Sequence, residues 1–262
     1  MKDLLLPIAV VSALGLLFGI LLSFVQKKLA VPEDERVAKI REALPGANCG
    51  GCGFASCDSY AQAVVQDGAA VNICRVGGEK AAEKIAAVMG VDAGEQRRLR
   101  AYVRCRGCAE SPQDLLDYRG IQSCKAVSAF YGGRLNCTYG CTGYGDCVAA
   151  CSFNAISVQN AVAVVDPSRC TGCLACVEAC PKGIIEPIEA TPGYMVACRN
   201  REQGKYTRVE CSHGCIGCKK CEKNCPSGAV TVDGFLARID RQKCTLCGKC
   251  AQDCPVGCIQ FC

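Results

Sequence analysis

"CTGCLACVEACP", Cys170 to Pro181, and "CTLCGKCAQDCP", Cys244 to Pro255, share the spacing C-x2-C-x2-C-x3-C-P, and this spacing decides how the chain is built. Thiols two or three residues apart are poor partners for structural disulfides but good ligands for a single polynuclear centre. The 27 cysteines among 262 residues are grouped in such runs, and there is no Trp. Disulfide scaffolds are usually short and secreted, which this chain is not. Closed zinc sites favour two C-x-x-C pairs set well apart. A triplet followed by Cys-Pro, found again in "CIGCKKCEKNCP" from Cys215 to Pro226, points instead to [4Fe–4S] clusters.

Outward from these runs, the chain repeats itself. Cys124, Cys137, Cys141, Cys147, Cys151, Cys170, Cys173, Cys176 and Cys180 recur 74 residues later as Cys198, Cys211, Cys215, Cys221, Cys225, Cys244, Cys247, Cys250 and Cys254. Between the ligand runs, "AISVQNAVAVVD" matches "AVTVDGFLARID", a short alternating strand pair in each copy. Two tandem modules like bacterial ferredoxin are therefore expected, over 124–188 and 198–262. In two-cluster ferredoxins the fourth cysteine of a run serves the other cluster. The second module then has the sets Cys215, Cys218, Cys221, Cys254 and Cys225, Cys244, Cys247, Cys250. The first has one full set, Cys151, Cys170, Cys173 and Cys176.

The remaining set, Cys141, Cys147 and Cys180, is one ligand short, because Tyr144 in "NCTYGCTGYGDCVAAC" stands where the second module has Cys218. Cys137, four residues before Cys141, is the expected replacement. Two other arrangements stay open. Cys137 joins Cys105, Cys108 and Cys124, leaving a three-cysteine site; or those three recruit another ligand for a sixth cluster beyond the five expected. Cys198 and Cys211 remain without a role, although their module is already complete. Cys258 and Cys262 fit no run and read as free thiols. The one histidine, His213, reads as structural.

Upstream, Leu4 to Val25 is 22 residues without a charge, about 33 Å as a helix, enough for one bilayer crossing. Lys27 and Lys28 follow it and place the rest of the chain on the cytoplasmic side. Residues 1–28 are thus expected as a single-pass transmembrane anchor in a prokaryotic cytoplasmic membrane, with Gly15 and Gly19 at a spacing that suits helix docking. Residues 31–92 read as a small helical domain around Cys49, Cys52, Cys57 and Cys74. It opens with a helix burying Val37, Ile40 and Leu44 and closes with one burying Ala81, Ile85 and Val88 and stopped by Gly90. Residues 93–123 read as a cysteine-containing linker, whose "RRLRAYVRCR" is expected to be a solvated charged face. The fold class is α+β.

The formal charge of +5 counts every cysteine as neutral. Each cluster with four thiolates carries roughly −2, so five of them bring the loaded chain to about −5, and a nucleic-acid partner is not expected. No nucleophile, acid–base pair or dinucleotide fingerprint stands out, so bond-making chemistry in this chain is not expected either.

The anchor, then "LPGANCGGCGFASC" and "NICRVGGEK", then the cluster runs closely resemble the B subunit of the Rnf complex, a membrane-bound ferredoxin:NAD oxidoreductase that couples electron transfer to ion translocation. The resemblance implies that Cys49, Cys52, Cys57 and Cys74 hold a [4Fe–4S] cluster. It also implies electrons from soluble reduced ferredoxin and other membrane subunits as partners. The chain departs from the family's short form in its second module and in the Cys105 to Cys124 region. Lys219, Lys220, Lys223, Lys243 and Lys249, around the second module's ligands, are the expected docking face for an acidic ferredoxin. Two other classes share the motifs: the iron–sulfur subunit of another membrane reductase or hydrogenase, and a cluster-bearing redox sensor. The anchor and the number of clusters favour electron transport.

Overall fold

A computed structural model describes residues 2–28, 34–107, 116–130, 132, 133 and 135–262, with side chains in the first helix described over 11–25. Cys108, named among the candidate ligands, lies outside the described residues.

Helix α1, Lys2–Lys28, is 27 residues long. Its described side chains are all exposed, with Leu16, Phe18, Leu22 and Phe24 among them. Among the described residues no helix is long and apolar enough to cross a membrane; the expected span from Leu4 lies partly beyond those whose side chains are described.

Three helices follow: α2, Glu35–Ala43; α3, Cys57–Gln66; and α4, Gly78–Met89. Asp34 caps α2 by accepting the Arg36 N–H, and Ser56 and Ser59 cap α3 reciprocally. Gly90, at φ +68°, ends α4 in the left-handed conformation that glycine adopts without a Cβ penalty. Ile40, Tyr60, Val64 and Ile85 form the core where the three helices meet, and Val88 packs at its edge.

Strand β1, Leu99–Val103, lies within the segment expected to be a linker with a solvated charged face. It is neither, because alternate residues, Ala101 and Val103, are buried, the Arg104 side chain is only 12% exposed and guanidinium nitrogens of Arg100 are buried as well. Arg104 meets Glu186 at 3.5 Å and Arg97 meets Glu189 at 3.2 Å. The five-residue run is a period-two strand carrying charge on one face.

Each module then repeats one plan. In the first, α5 (Cys124–Ser128) and α6 (Asp146–Ala149) precede a hairpin of β2 (Ile156–Gln159) and β3 (Val162–Val165), followed by α7 (Ala175–Ala179) and β4 (Ile185–Glu189). In the second, β5 (Tyr194–Val196), α8 (Gly204–Glu210) and α9 (Lys220–Lys223) precede the hairpin of β6 (Val230–Asp233) and β7 (Leu236–Ile239), then α10 (Lys249–Gln252) and β8 (Ile259–Phe261). All four pairs, β1–β4, β2–β3, β5–β8 and β6–β7, are antiparallel and two-stranded. So β1 is to β4 what β5 is to β8, and the first module begins earlier than the 74-residue repeat indicates.

The hairpin tips hold non-glycine residues at positive φ, Ala161 at +63° and Phe235 at +61°. A ligand-loop glycine packs on each: a Cβ at Gly143 would stand 2.6 Å from the Ala161 carbonyl oxygen, and one at Gly217 2.8 Å from Phe235. Hairpin and ligand loop are thereby held in contact, with buried Ile156, Val162 and Ala163 below the first tip and Val230, Leu236 and Ala237 below the second.

Candidate metal centres

Short turns build the ligand loops. Leu174, Lys219 and Gly248, each two residues before the last cysteine of a triplet, take φ of +68°, +59° and +77°. A left-handed residue followed by a helical turn points successive backbone N–H groups into a concave nest that suits an anionic centre.

Three cavities match expected sets. One, of about 380 Å³ empty volume, is lined by Cys49, Cys52, Cys57 and Cys74. A second, about 340 Å³, is lined by Cys151, Cys170, Cys173 and Cys176. The third, about 330 Å³, is lined by Cys215, Cys218, Cys221 and Cys254. Burial and the like-charged neighbours Cys244, Cys225 and Cys247 raise the Cys250 thiol, which places the fourth expected set together as well. Backbone N–H groups reach the sulfurs: Gly77 to Cys74 at 3.4 Å, Ala155 to Cys151 at 3.4 Å, and Ala101 to Cys170 and Ala237 to Cys215 at 3.5 Å. Among the described residues, no three or more His, Cys, Asp or Glu are arranged for a single metal ion. Four thiols lining one cavity, with N–H donors aimed at their sulfurs, fit a polynuclear cluster.

Cys147 is pushed up to about 12 by burial and by Cys141, Cys124 and Cys180. Its counterpart Cys221 is pushed up to about 12 by burial and by Cys215, Cys218 and Cys254. Cys124 thus acts on Cys147 as Cys218 acts on Cys221. Burial raises Cys137 to about 12, and the thiols that act on it are Cys105 and Cys198. Asp146 ties Cys124 to this set: its carboxylate accepts from Ser123 Oγ and from the backbone N–H groups of Cys124 and Lys125, each at 2.9 Å. This clasp ties the start of α5 to the residue before Cys147. The ring of Tyr144 meets that of Tyr118, from the stretch before α5, with centroids 6.2 Å apart. One sequence signal for this was present: position 146 is Asp in the first module, where position 220 in the second is Lys.

Cys258 is not a bystander. It is 1% exposed, its sulfur lies 3.6 Å from Cys254, and it lines the same cavity as Cys215. Hydrogen bonding with Cys258 lowers Cys254 to about 5 and Cys215 to about 6, while the Cys258 proton is held more tightly. Cys262 donates to the Gly193 carbonyl at 3.3 Å, and His213 Nδ1 pairs with Ser212 Oγ at 2.9 Å.

Thiol sets in apolar cavities, nests of inward N–H groups and the duplicated hairpin frame define an iron–sulfur protein of the electron-transferring class. Family models agree: an Fe-S cluster family matches residues 44–76, a 4Fe-4S binding domain 163–186 and a 4Fe-4S dicluster domain 214–258. Over 245 residues the chain is 42% identical to the B subunit of the Na(+)-translocating ferredoxin:NAD(+) oxidoreductase complex of Acetobacterium woodii, covering 93% of this chain and 74% of that one. It is 42% identical to the B subunit of the ion-translocating oxidoreductase complex of Methanosarcina acetivorans, covering 91% of this chain and 90% of that one. A proton-translocating counterpart from Clostridium ljungdahlii is 37% identical, over 93% of this chain and 87% of its own. The chain belongs to the family of B subunits of ion-translocating oxidoreductase (Rnf) complexes.

Proposed function

We propose that this chain is the membrane-anchored iron–sulfur subunit that takes electrons from reduced ferredoxin and delivers them to membrane partner subunits of an ion-translocating ferredoxin:NAD oxidoreductase. The observation that carries the reading is the gathering of separate four-thiol sets in one frame, in a chain of this family. Five sets would bind [4Fe–4S] clusters: Cys49, Cys52, Cys57, Cys74; Cys151, Cys170, Cys173, Cys176; Cys215, Cys218, Cys221, Cys254; Cys225, Cys244, Cys247, Cys250; and Cys141, Cys147, Cys180 with Cys124. Bound clusters supply reversible one-electron exchange; the chain's residues supply ligands, N–H donors and shielding from water.

Residues 1–28 act in this reading as a single-pass anchor, supported by the uncharged stretch from Leu4 to Val25 and by the exposed apolar side chains of α1. Partner subunits then lie in the same membrane, and the cluster-bearing part lies on the cytoplasmic side.

The second module supplies the docking face for ferredoxin. Cys218 and Cys247 are exposed there, and Lys219, Lys220, Lys223, Lys243 and Lys249 surround them, all exposed. Such a field speeds encounter with an acidic partner and is screened by salt. Reversing these five lysines to Glu is expected to slow reduction by ferredoxin about tenfold or more at low ionic strength, with the difference shrinking at high salt. Stopped-flow bleaching of the visible cluster absorbance reads this, and an unchanged low-salt rate would remove the docking site.

A further inference from the structure

Seven cysteines lie outside those five sets, and the duplication relates four of them, Cys105, Cys137, Cys198 and Cys211, in pairs. Cys105 and Cys198 each follow the first strand of a module by two residues, β1 ending at Val103 and β5 at Val196. The residue between makes the same bond in each: Arg104 N–H to the Ile184 carbonyl at 2.8 Å, and Ala197 N–H to the Cys258 carbonyl at 2.7 Å, the two acceptors being 74 positions apart. The sulfurs also accept from equivalent donors, Cys105 from the Cys141 N–H at 3.5 Å and Cys198 from the Cys215 N–H at 3.3 Å. Cys105, not Cys124, is thus the structural counterpart of Cys198. Cys137 and Cys211 are already counterparts in the 74-residue repeat.

The two pairs face each other between the modules. Asn200, two residues after Cys198, donates to Cys137 Sγ at 3.8 Å and to Glu210 at 2.9 Å, and Glu210 immediately precedes Cys211. Arg106, beside Cys105, donates to the Gly257 carbonyl of the second module. Among thiols, Cys137 is within electrostatic reach of Cys105 and Cys198, Cys105 of Cys211, and Cys198 of Cys211. Two of these relations lie within modules and two run across them, linking the four thiols in a ring. None of the thiols is exposed.

We propose that Cys105, Cys137, Cys198 and Cys211 form a further site, shared by the two modules, that holds a sixth [4Fe–4S] cluster. It rests on the reading of the chain as an iron–sulfur protein. The two N–H groups that donate to its sulfurs belong to Cys141 and Cys215, ligands of the adjoining sets on either side, so the site stands between one set of each module. Four thiolates from two halves of a duplicated fold also lock those halves together once a cluster is bound.

The test counts iron, acid-labile sulfide and zinc per full-length chain after anaerobic purification in detergent, with EPR of the reduced protein. The wild type is expected to hold about 24 irons, and Cys137→Ala and Cys198→Ala each about 20. The double variant of these two is expected to stay at about 20, since both serve one cluster, whereas Cys124→Ala with Cys137→Ala is expected to fall to about 16. Retention of the other clusters and their signals shows that the variants fold. The site is overturned if Cys137→Ala loses no iron, if Cys124→Ala with Cys137→Ala loses only one cluster, or if Cys137→Ala loses zinc instead. A wild type near 20 irons that keeps them in Cys198→Ala overturns the site and leaves the electron-transfer reading standing; a wild type without iron overturns both.

Discussion

Asp146 ties Cys124 to the turn that carries Cys147. Burial pulls its carboxyl up, but the Lys125 and Cys124 N–H groups and the Ser123 hydroxyl outweigh this and hold it below the ordinary carboxylate range. A lowered folded pKa means that the contribution is present above the unfolded value of about 3.9 and is lost as the pH falls through the folded one. Charge-assisted hydrogen bonds on a partly exposed group are worth about 1–2 kcal/mol together, after discounting for solvent. Asp146→Ala is therefore expected to speed the loss of one cluster to an iron chelator about tenfold, with the rest released at wild-type rates. Uniform acceleration, or none, would deny Asp146 this role. Tyr144 announces a missing ligand in the sequence, but not the replacement. Proximity along the chain favours Cys137; the clasp that brings in Cys124 works across 22 residues, and its one trace in the sequence is Asp146 where the second module has Lys220.

At the level of elements, the runs of cysteine, the alternating hairpins and the helices ending at Gly90 were legible because each has its own local period or stop signal. Strand β1 was not. Its five-residue alternation is shorter than the arginine run that contains it, and its partner β4 lies far along the chain. A signal did exist: "AYVRC", 101–105, echoes "YMVAC", 194–198, outside the regular offset. Because Val103 is 9% exposed and pairs with Ile185 in register, it also sets the place of Cys105. Val103→Asp puts an unpaired charge in that core and is expected to cost about 3 kcal/mol, read as a lower unfolding temperature of the loaded protein. Val103→Ile, which keeps the strand's character, is expected to change it little. Equal stability in the Asp variant would mean that β1 is dispensable.

The whole molecule is a row of thiol sets held by direct contact. A Cβ on Gly51, in the helical domain's ligand loop, would stand 2.7 Å from the Cys173 carbonyl oxygen of the first module. Gln96 ties the approach to β1 to that domain through the carbonyls of Asn72, at 2.7 Å, and Cys74, at 3.1 Å. On the proposed reading of residues 1–28 as an anchor, their removal is expected to move the chain from carbonate-washed membranes to the soluble fraction with its iron retained. A truncated chain that still sediments with washed membranes would contradict the anchor. The pairing of β1 with β4 also sets a timetable for biosynthesis. β1 leaves the ribosome roughly 80 residues before its partner, about ten seconds at ordinary elongation rates, and during that interval Ala101 and Val103 have no sheet to cover them. The nascent first module therefore waits with an open edge beside unmetallated thiols, and iron delivery and protection from oxygen matter most in that window.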